Sequence, residues 1–295
     1  MNLNTENLIK NPFNYCGGKY KLLPQLEKYF PNNKNITTFI DIFAGGGDVS
    51  FNVNADKIIY NDKNSPLISI LENIDNEFIN EVENLIDKYK LSKTNREGFL
   101  ELRKAYNENV SDYSESSGRK KAVMLYTLLC YSFNNQIGFN RKGEFNVPFG
   151  LNRSEFNSSL KNKLQQYINR KDEINIDFMS LDFNNFDFDS YNPNSTFIYL
   201  DPPYFISTGA YQRCYDCKWS EDREKELLNL LKELDCKGYK WALSNVVVHK
   251  GLCNHMLIDF AQHYNLHNIN KNYKNCSYQC KSNDKVTREI LLTNY

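Results

Sequence analysis

Short apolar runs alternate with longer amphipathic stretches at both ends of the chain. Six segments of five to nine residues have the apolar, β-branched and aromatic character of buried strands: 35–43, 57–62, 174–178, 196–201, 239–245 and 287–295. Helical periodicity lies between them, most clearly over 220–234 and 252–264. Strands that alternate with helices predict an α/β fold with a doubly wound parallel sheet.

The middle of the chain breaks this alternation. Helical patterns cover four segments there: 76–90, 95–107, 119–133 and 154–169. The segment 134–150 is not helical, because it contains three glycines between short β-like pieces. We therefore predict a sheet domain formed by 1–75 and 172–295, into which a second, mainly helical domain of residues 76–171 is inserted.

Composition restricts the class of protein only broadly. The chain has 295 residues, of which 41% are apolar and 24% charged, and its formal net charge is zero. No apolar run approaches the roughly 20 residues that span a bilayer, and the N-terminus lacks the pattern of a signal peptide. The sequence therefore predicts a soluble, cytoplasmic protein with no membrane partner.

Eight cysteines without a secretion signal predict reduced thiols rather than a disulfide framework. Four of them form two close pairs, Cys214 with Cys217 and Cys276 with Cys280, and four thiolates could hold a structural zinc ion. Neither pair has a glycine-rich knuckle pattern, and buried free cysteines are common. We therefore predict no metal site, with zinc at these four cysteines as the alternative.

Basic residues are concentrated in the middle of the chain. Between positions 118 and 171 there are ten lysines and arginines but only two acidic residues, Glu144 and Glu155. Such a cluster is either a solvated surface or a face that binds phosphates and releases their counterions. Charge alone does not decide between these two interpretations.

A glycine turn follows the first strand pattern, in the stretch FIDIFAGGGD. It places Asp41 and then Gly45, Gly46 and Gly47 at the carboxyl end of the strand, where doubly wound sheets bind ligands. Asp62 ends the next strand pattern, at the spacing of an acid that binds ribose hydroxyls. Since the G-x-G-x-x-G spacing is absent, the pattern predicts an adenosine-type cofactor other than NAD; a plain strand–turn–helix junction is the alternative.

Two further glycines, Gly17 and Gly18, precede Lys19 in the stretch YCGGKY near the N-terminus. The spacing of a phosphate-binding loop, G-x-x-x-x-G-K-[ST], is absent. Lys19 is therefore either a residue that approaches a ligand carboxylate or part of an ordinary turn.

The strand pattern at 196–201 ends in Asp201-Pro202-Pro203-Tyr204. The prolines stop the strand because neither has an N–H to donate and both fix φ. A carboxylate beside a rigid backbone carbonyl suits the two N–H donors of an exocyclic amino group, and Tyr204 offers a flat face to a planar base. Methylation of an aromatic amine needs this orientation rather than a strong base; a strand terminator with a surface acid is the alternative.

Five motifs, in this order, resemble the Dam-like family of adenine-specific DNA methyltransferases: FNYCGGK, FIDIFAGGG, YNDKN, GEFNVPFG and YLDPPY. The resemblance runs from about residue 12 to the end and is weakest over 76–118. It implies a Rossmann-like methyltransferase sheet with an inserted target-recognition domain that carries a β-hairpin. It also implies S-adenosyl-L-methionine as the cofactor and, as the acceptor, an adenine flipped out of duplex DNA.

The matching motifs imply which residues of this chain form the site. Asp201 and the Pro202 carbonyl would hold the target amino group, Pro203 would fix the turn, and Tyr204 would stack on the flipped adenine. The implied cofactor-binding residues are Tyr15, Gly17, Gly18, Lys19, Asp41, Phe43, Gly45, Gly47, Asp62 and Asp201. Most relatives carry Trp at the position of Tyr15, which is a conservative departure.

The GEFNVPFG segment resembles the family's hairpin that enters the major groove, so the basic middle of the chain becomes a candidate DNA-binding surface. The predicted contacts are Arg119, Lys120, Lys121, Asn134, Asn135, Gln136, Arg141, Lys142 and Pro148. Lysines and Arg119 would contact phosphates, whereas the amides and Arg141 would read base edges. Relatives that recognise GATC usually have an arginine where this chain has Gly138, so we predict a recognition sequence other than simple GATC.

The resemblance also sets expectations for partners and location. We expect a monomer on double-stranded DNA, of bacterial type or encoded by a phage, in the cytoplasm and associated with the nucleoid. A cognate restriction endonuclease is a further partner that the sequence leaves open.

Other amino groups are the alternative substrates: the N4 amine of cytosine, adenine in RNA, or a protein glutamine. Asp201 argues against the glutamine enzymes, which favour an Asn-Pro-Pro-Tyr start. The hairpin argues against RNA, because the major groove of an A-form helix is too narrow to admit it. A DNA-binding protein without catalysis is a third alternative, but Asp201 and the glycine turn are both intact.

Overall fold

The computed structural model describes residues 2–3, 8–13, 15, 17–32, 34–108, 115–207, 219–269 and 287–295. The two cysteine pairs considered for zinc, at 214–217 and 276–280, lie outside the described residues. No helix in the described part of the chain is long and apolar enough to cross a membrane.

The described residues form ten strands and eight α-helices. The strands are β1 (Asn2–Leu3), β2 (Thr38–Asp41), β3 (Val53–Asn54), β4 (Lys57–Asn61), β5 (Ile176–Met179), β6 (Thr196–Leu200), β7 (Lys240–His249), β8 (Leu252–Cys253), β9 (Asn265–Ile269) and β10 (Thr287–Thr293). The helices are α1 (Leu23–Leu26), α2 (Ser65–Asn73), α3 (Asn76–Lys88), α4 (Arg96–Glu108), α5 (Glu115–Tyr131), α6 (Ser158–Glu173), α7 (Glu221–Cys236) and α8 (His255–Ala261). Each strand and helix segment predicted from the apolar pattern overlaps an element of its type.

The main sheet has the strand order β5-β4-β2-β6-β7-β10-β9, with β8 paired to β7. In this order, neighbouring strands are parallel from β5 through β4, β2 and β6 to β7. Strand β10 is antiparallel to both β7 and β9. The chain runs outward from β2 to β5 and returns on the other side at β6, so the order reverses between β2 and β6. The predicted Rossmann-like α/β fold is confirmed, and the reversal marks the edge where such sheets bind ligands.

Strand β6 is buried along its whole length because apolar layers cover both faces of the sheet. Ile198 and Leu200 face the layer formed by α7 and α8, while Phe197 and Tyr199 face the layer that contains α1. Edge strand β9 was not predicted, because its residues are mostly exposed and polar and lack an apolar run.

Helices α2 to α6 surround a third apolar cluster. Phe78, Phe99 and Tyr126 are fully buried in it. The same cluster includes Phe51, which lies between β2 and β3, and Tyr60 of β4. The inserted helices therefore share one continuous core with the part of the sheet that precedes them. Division of the chain into two domains near residues 75 and 172 stays a prediction.

The predicted β-hairpin is present as antiparallel bridges rather than as regular strands. Phe139 pairs with Phe145, and the Asn140 amide donates to the Glu144 carbonyl at 2.9 Å. Gly143 makes the turn with φ of 78°, a conformation that glycine adopts without strain.

Candidate active site

A cleft lies beyond the carboxyl ends of β2, β4 and β6, where the strand order reverses. It holds about 980 Å³ of space between the lining residues, part of it open to solvent. Three of the carboxylates that line it lie at strand ends: Asp41 ends β2, Asp62 follows β4, and Asp201 follows β6. Because the carboxyl ends of parallel strands meet at one edge, the sheet brings together acids that are distant in sequence.

Nine of the ten predicted cofactor-binding residues line this cleft: Tyr15, Gly17, Gly18, Lys19, Asp41, Phe43, Gly45, Asp62 and Asp201. Gly47 is the exception, because it is not among the residues that line the cleft. Its φ is +81°, and a Cβ there would lie 2.9 Å from Phe51 Cδ2 and 3.0 Å from Tyr60 Cε2. The core therefore requires Gly47, and Gly46 lines the cleft instead.

Asp41 is 1% exposed, and its two oxygens have different surroundings. Oδ2 accepts a hydrogen bond from Ser50 Oγ at 2.7 Å, whereas Oδ1 has no hydrogen-bond partner among the described residues. Burial raises the pKa of Asp41 to about 8; the Ser50 bond opposes this rise, and the nearby Asp201 and Asp62 add to it. A buried acceptor with this vacancy suits a ligand that donates a hydrogen bond or carries positive charge.

Asp62 is fixed by the backbone around it. Oδ2 accepts from the Gly45 amide and Oδ1 from the Asn64 amide, both at 2.8 Å. Burial raises the pKa of Asp62, although these two hydrogen bonds act in the opposite direction. The Tyr60 hydroxyl donates to the Gly45 carbonyl and holds the same turn from the core side. Each Asp62 oxygen still has a lone pair for a ligand hydroxyl.

A buried cluster of four polar side chains lies beside Asp201. Lys19 Nζ is 2.6 Å from Asp201 Oδ2 and 3.5 Å from Glu289 Oε1. The Tyr204 hydroxyl is 2.7 Å from Lys19 Nζ, and 3.0 Å from both Asp201 Oδ1 and Glu289 Oε1. Burial alone would lower the pKa of Lys19, but the two carboxylates outweigh it and raise that pKa.

Tyr204 differs from its sequence-based description. It is 6% exposed, and the described part of the cleft wall includes Pro203 rather than the Tyr204 ring. Its hydroxyl is bonded inside the cluster. Glu289, which the sequence reasoning missed, is a charged residue inside the apolar strand TREILLT, and that interruption was the available signal.

Three aromatic rings form one wall of the cleft. Phe43 lies 5.4 Å from Phe183 and 5.6 Å from Trp219, and Phe183 lies 5.7 Å from Trp219, all between ring centroids. The guanidinium of Arg223 stacks over Phe183 at 4.2 Å and donates to both oxygens of Asp182. These three rings form a surface that suits a planar heterocycle.

Glu224 supports this aromatic wall from within α7. It is fully buried, and its Oε2 accepts from Trp219 Nε1 at 2.6 Å while Oε1 accepts from Asn254 at 2.7 Å. Sequence reasoning missed Phe183 and Trp219. The signal for Phe183 was available, because it follows Asp182 just after β5, as the other site residues follow their strands.

Asp48 joins the N-terminal glycine loop to the turn after β2. Its Oδ1 accepts from Asn11 Nδ2 at 2.8 Å and its Oδ2 accepts from the Tyr20 amide at 3.1 Å. A Cβ on Gly18 would lie 2.5 Å from Asp48 Oδ2, so only glycine allows this approach. The Tyr15 ring packs where a Cβ on Gly45 would lie, 2.7 Å from its Cε1.

Arg119 is not directed at a DNA phosphate in this structure. It donates to both oxygens of Asp75, at 2.8 and 2.9 Å, and to both oxygens of Glu81, at 3.0 and 3.1 Å. Asp75 also caps α3 by accepting from the Phe78 amide at 2.8 Å. In the DNA-free chain Arg119 joins α5 to α3, and the phosphate contact stays a prediction.

Asn135 also makes contacts within the DNA-free chain, so its predicted base contact stays a prediction. Its φ is 51°, and its Nδ2 donates to the carbonyls of Leu129 and Cys130 at 3.2 and 2.9 Å. These carbonyls belong to the last turn of α5, where helices leave acceptors unsatisfied. Asn135 therefore caps α5 in this structure.

The other predicted DNA contacts lie at the surface. Four of them are exposed: Lys120, Arg141, Lys142 and Pro148. Three more, Lys121, Asn134 and Gln136, are partly exposed and have interactions within the protein. Within the described ranges, no three His, Cys, Asp or Glu side chains are arranged to hold a metal ion.

Residues 15–289 match the family of D12 class N6 adenine-specific DNA methyltransferases. Type II methyltransferase M.FokI of Planomicrobium okeanokoites is 41% identical over 298 residues, which cover 99% of this chain and 44% of that protein. Modification methylase StsI of Streptococcus sanguinis is 40% identical over 300 residues, covering 99% of this chain and 44% of that protein. Type II methyltransferase M1.LlaDCHI of Lactococcus lactis subsp. cremoris is 30% identical over 301 residues, which cover 100% of this chain and 99% of that protein.

The switch-point cleft and the sheet define a Rossmann-like enzyme fold. The chain belongs to the D12 class of N6 adenine-specific DNA methyltransferases, so the family predicted from the motif order is confirmed. It spans less than half the length of the first two relatives, at 44% of each.

Proposed function

We propose that this chain transfers the methyl group of S-adenosyl-L-methionine to the exocyclic N6 amine of an adenine flipped out of duplex DNA. The observation that carries the proposal is the position of Asp201-Pro202 at the end of β6, beside a cleft that also contains Asp41 and Asp62. Family membership supports the class of reaction.

The residues of the cleft fit this cofactor. Five aspartates and three cationic side chains line the cleft, and this excess of acidic groups suits the sulfonium and ammonium groups of the cofactor. Asp41 Oδ1 offers a buried acceptor without a described partner. Asp62 would accept the ribose hydroxyls, and the wall of Phe43, Phe183 and Trp219 would pack against the adenine ring.

When bound, S-adenosylmethionine supplies an electrophilic methyl carbon attached to a positive sulfur. Asp201 and the Pro202 carbonyl accept the two N–H groups of the target amine, which aims the nitrogen lone pair at that carbon. Asp201 would accept the proton that the amine nitrogen loses once it is methylated. No stronger base is required, because the orientation of the amine is the main contribution of the protein.

We assign DNA recognition to the inserted region of residues 76–171. Arg141 and Lys142 are exposed at the turn of the hairpin, in a position to enter a groove. Gly138 lies buried at the base of the hairpin and has no side chain to contact guanine, which supports a sequence other than simple GATC. The name of the relative StsI, a modification methylase, supports a restriction–modification role with a cognate endonuclease.

Methylation mapping tests the proposal. The chain is expressed in a host without DNA methyltransferases, and the genome is sequenced for modified bases. We expect N6-methyladenine in one recurrent sequence motif. Modified cytosine in that motif would support the cytosine N4 alternative, and no modified base in duplex DNA would disprove the proposal.

Asp201→Ala tests the role of the proposed clamp. The variant should lose modification by at least about a thousandfold, since a positioned charged acceptor in the site is removed. Duplex DNA binding, measured by fluorescence anisotropy, should stay within about threefold of the wild type, because Asp201 is proposed to hold the target amine and not to contact the DNA backbone. Retained modification would disprove the role of Asp201.

A further inference from the structure

Both oxygens of Asp201 are already occupied in this structure. Lys19 Nζ lies 2.6 Å from Oδ2, and the Tyr204 hydroxyl donates to Oδ1 at 3.0 Å. A target amine that is held by Asp201 therefore shares an oxygen with one of these two partners and competes with it for that oxygen.

The two partners are not equally easy to displace. The Lys19 side chain is 3% exposed, so its separation from Asp201 would leave a charge buried without its nearest counterion. The Tyr204 hydroxyl is neutral and has a second acceptor, Glu289 Oε1, at the same distance of 3.0 Å. Since a hydroxyl has one proton, it donates to only one of the two carboxylates at a time.

We propose that Glu289 is a positioning residue which takes over the Tyr204 hydroxyl when the target amine binds Asp201 Oδ1. Asp201 Oδ2 stays on Lys19 throughout, so Oδ1 is the oxygen that accepts from the amine. Tyr204 keeps a fixed position because its hydroxyl passes from one carboxylate to the other without losing a partner. This inference rests on the proposed adenine methylation, and it identifies a residue that the catalytic motif itself does not contain.

The local structure of β10 explains how a strand residue reaches this position. Pairing with β7 shifts register there: Arg288 pairs with Val248, whereas Glu289 pairs with Val246. Val247 is thus the extra residue of a β-bulge, and bulges next to active sites redirect side chains. The result is a carboxylate that is 1% exposed at its side chain and 3.5 Å from Lys19.

The geometry also explains why a charged acceptor is suitable at this position. Glu289 lies beside the same lysine as Asp201, so the hydroxyl proton moves between two acceptors that share one cation. Glu289→Gln retains an oxygen but loses this charge. Glu289→Asp retains the charge near Lys19 and shortens the reach to Tyr204 by one methylene.

The test measures single-turnover methyl transfer on a duplex that contains the mapped motif. We expect Glu289→Gln and Glu289→Asp each to slow transfer at least tenfold, while the cofactor Kd changes less than threefold. A duplex with 2-aminopurine as the target base should show less fluorescence gain with both variants, because the flipped base is held less well. Glu233→Gln, an exposed glutamate on α7, is the matched control and should behave as wild type.

A double-mutant cycle separates this role from a general effect on folding. In a Tyr204→Phe background there is no hydroxyl to transfer, so adding Glu289→Gln should slow transfer less than twofold further. Thermal unfolding of each variant, including Glu289→Asp, identifies any variant that has lost the fold. Multiplicative effects in the cycle would overturn the proposal.

The outcomes also distinguish this inference from the proposed function. A wild-type chain that methylates no duplex DNA overturns both. An active wild type whose Glu289→Gln and Glu289→Asp variants transfer the methyl group equally fast overturns only the role of Glu289.

Discussion

Ser50 Oγ donates a hydrogen bond of 2.7 Å to Asp41 Oδ2, while Asp41 Oδ1 is buried without a described partner. The sheet thus buries a carboxyl group and satisfies only one of its two oxygens. Burial raises the pKa of Asp41 to about 8. The vacancy has consequences both for the stability of the free protein and for ligand binding.

Asp41→Asn should make the free protein more stable at alkaline pH relative to wild type. The pKa of Asp41 is higher in the folded state than in the unfolded chain, so the folded state loses stability as pH rises from about 4 to about 8. The difference in unfolding free energy between variant and wild type should grow across this range by at least about 2 kcal/mol, since one pKa unit is worth about 1.4 kcal/mol.

Urea unfolding at a series of pH values gives this difference directly. Ser50→Ala is the matched control, because it removes the hydrogen bond that lowers the pKa of Asp41. In this variant the loss of stability with rising pH should continue to a higher pH than in the wild type. A difference that does not change between about pH 4 and pH 8 would show that Asp41 ionises normally.

Cofactor binding should release a proton near neutral pH. In the free protein Asp41 is mostly protonated at pH 7, because its pKa is about 8. A cation bound beside it favours the carboxylate and lowers that pKa. Calorimetry of S-adenosylmethionine binding in two buffers of different ionisation enthalpy should therefore give a release that approaches one proton.

Two comparisons make the assignment to Asp41 specific. Asp41→Asn should release almost no proton and should bind the cofactor more weakly. S-adenosylhomocysteine lacks the sulfonium charge, so it should release less than S-adenosylmethionine does. Equal release by both ligands would mean that the sulfonium is not the group beside Asp41.

The acids of the cleft could be predicted from the sequence, whereas much of the aromatic wall and the buried cluster could not. Asp41, Asp62 and Asp201 each follow an apolar run, and the geometry of a parallel sheet brings strand ends to one edge. Trp219 and Glu289 reach the site through tertiary packing and a β-bulge, neither of which leaves a periodic signal. Sequence patterns specify the strands, but not the partners of a single buried side chain.

In the basic region, too, the sequence does not specify the partners of single side chains. Composition predicts ten cationic side chains over 118–171, but it does not say which of them pair within the protein. Arg119 pairs with Asp75 and Glu81, and Arg170 donates to backbone carbonyls of Phe51 and Val53. A charge surplus along the sequence therefore overestimates the cations that are available to DNA.

Trp219 should report cofactor binding by fluorescence. The chain has two tryptophans, and Trp219 lines the cleft whereas Trp241 is fully buried in the sheet. We expect S-adenosylmethionine to change the emission of the wild type and of Trp241→Phe, but not of Trp219→Phe. Trp219→Ala should weaken cofactor binding roughly tenfold, because a large aromatic contact is lost. If the emission of Trp219→Phe still responds to S-adenosylmethionine as the wild type does, the cofactor lies away from this wall.

Arg119 and Lys120 are adjacent residues of α5 for which we expect opposite effects. Arg119→Ala removes the pairs with Asp75 and Glu81, and so should lower the free energy of unfolding by roughly 1–2 kcal/mol. The salt dependence of DNA binding should stay unchanged in this variant. Lys120→Ala should change stability by less than about 0.5 kcal/mol, because the side chain is exposed.

Binding to a duplex at several salt concentrations completes this comparison. Loss of one phosphate contact in Lys120→Ala should make the slope of log K against log salt shallower by about one. If Arg119→Ala gives the shallower slope and keeps full stability, Arg119 leaves its carboxylate partners for a phosphate when DNA binds. In that case the ion pairs of the free protein would be a resting state of the DNA-binding surface rather than a fixed part of the fold.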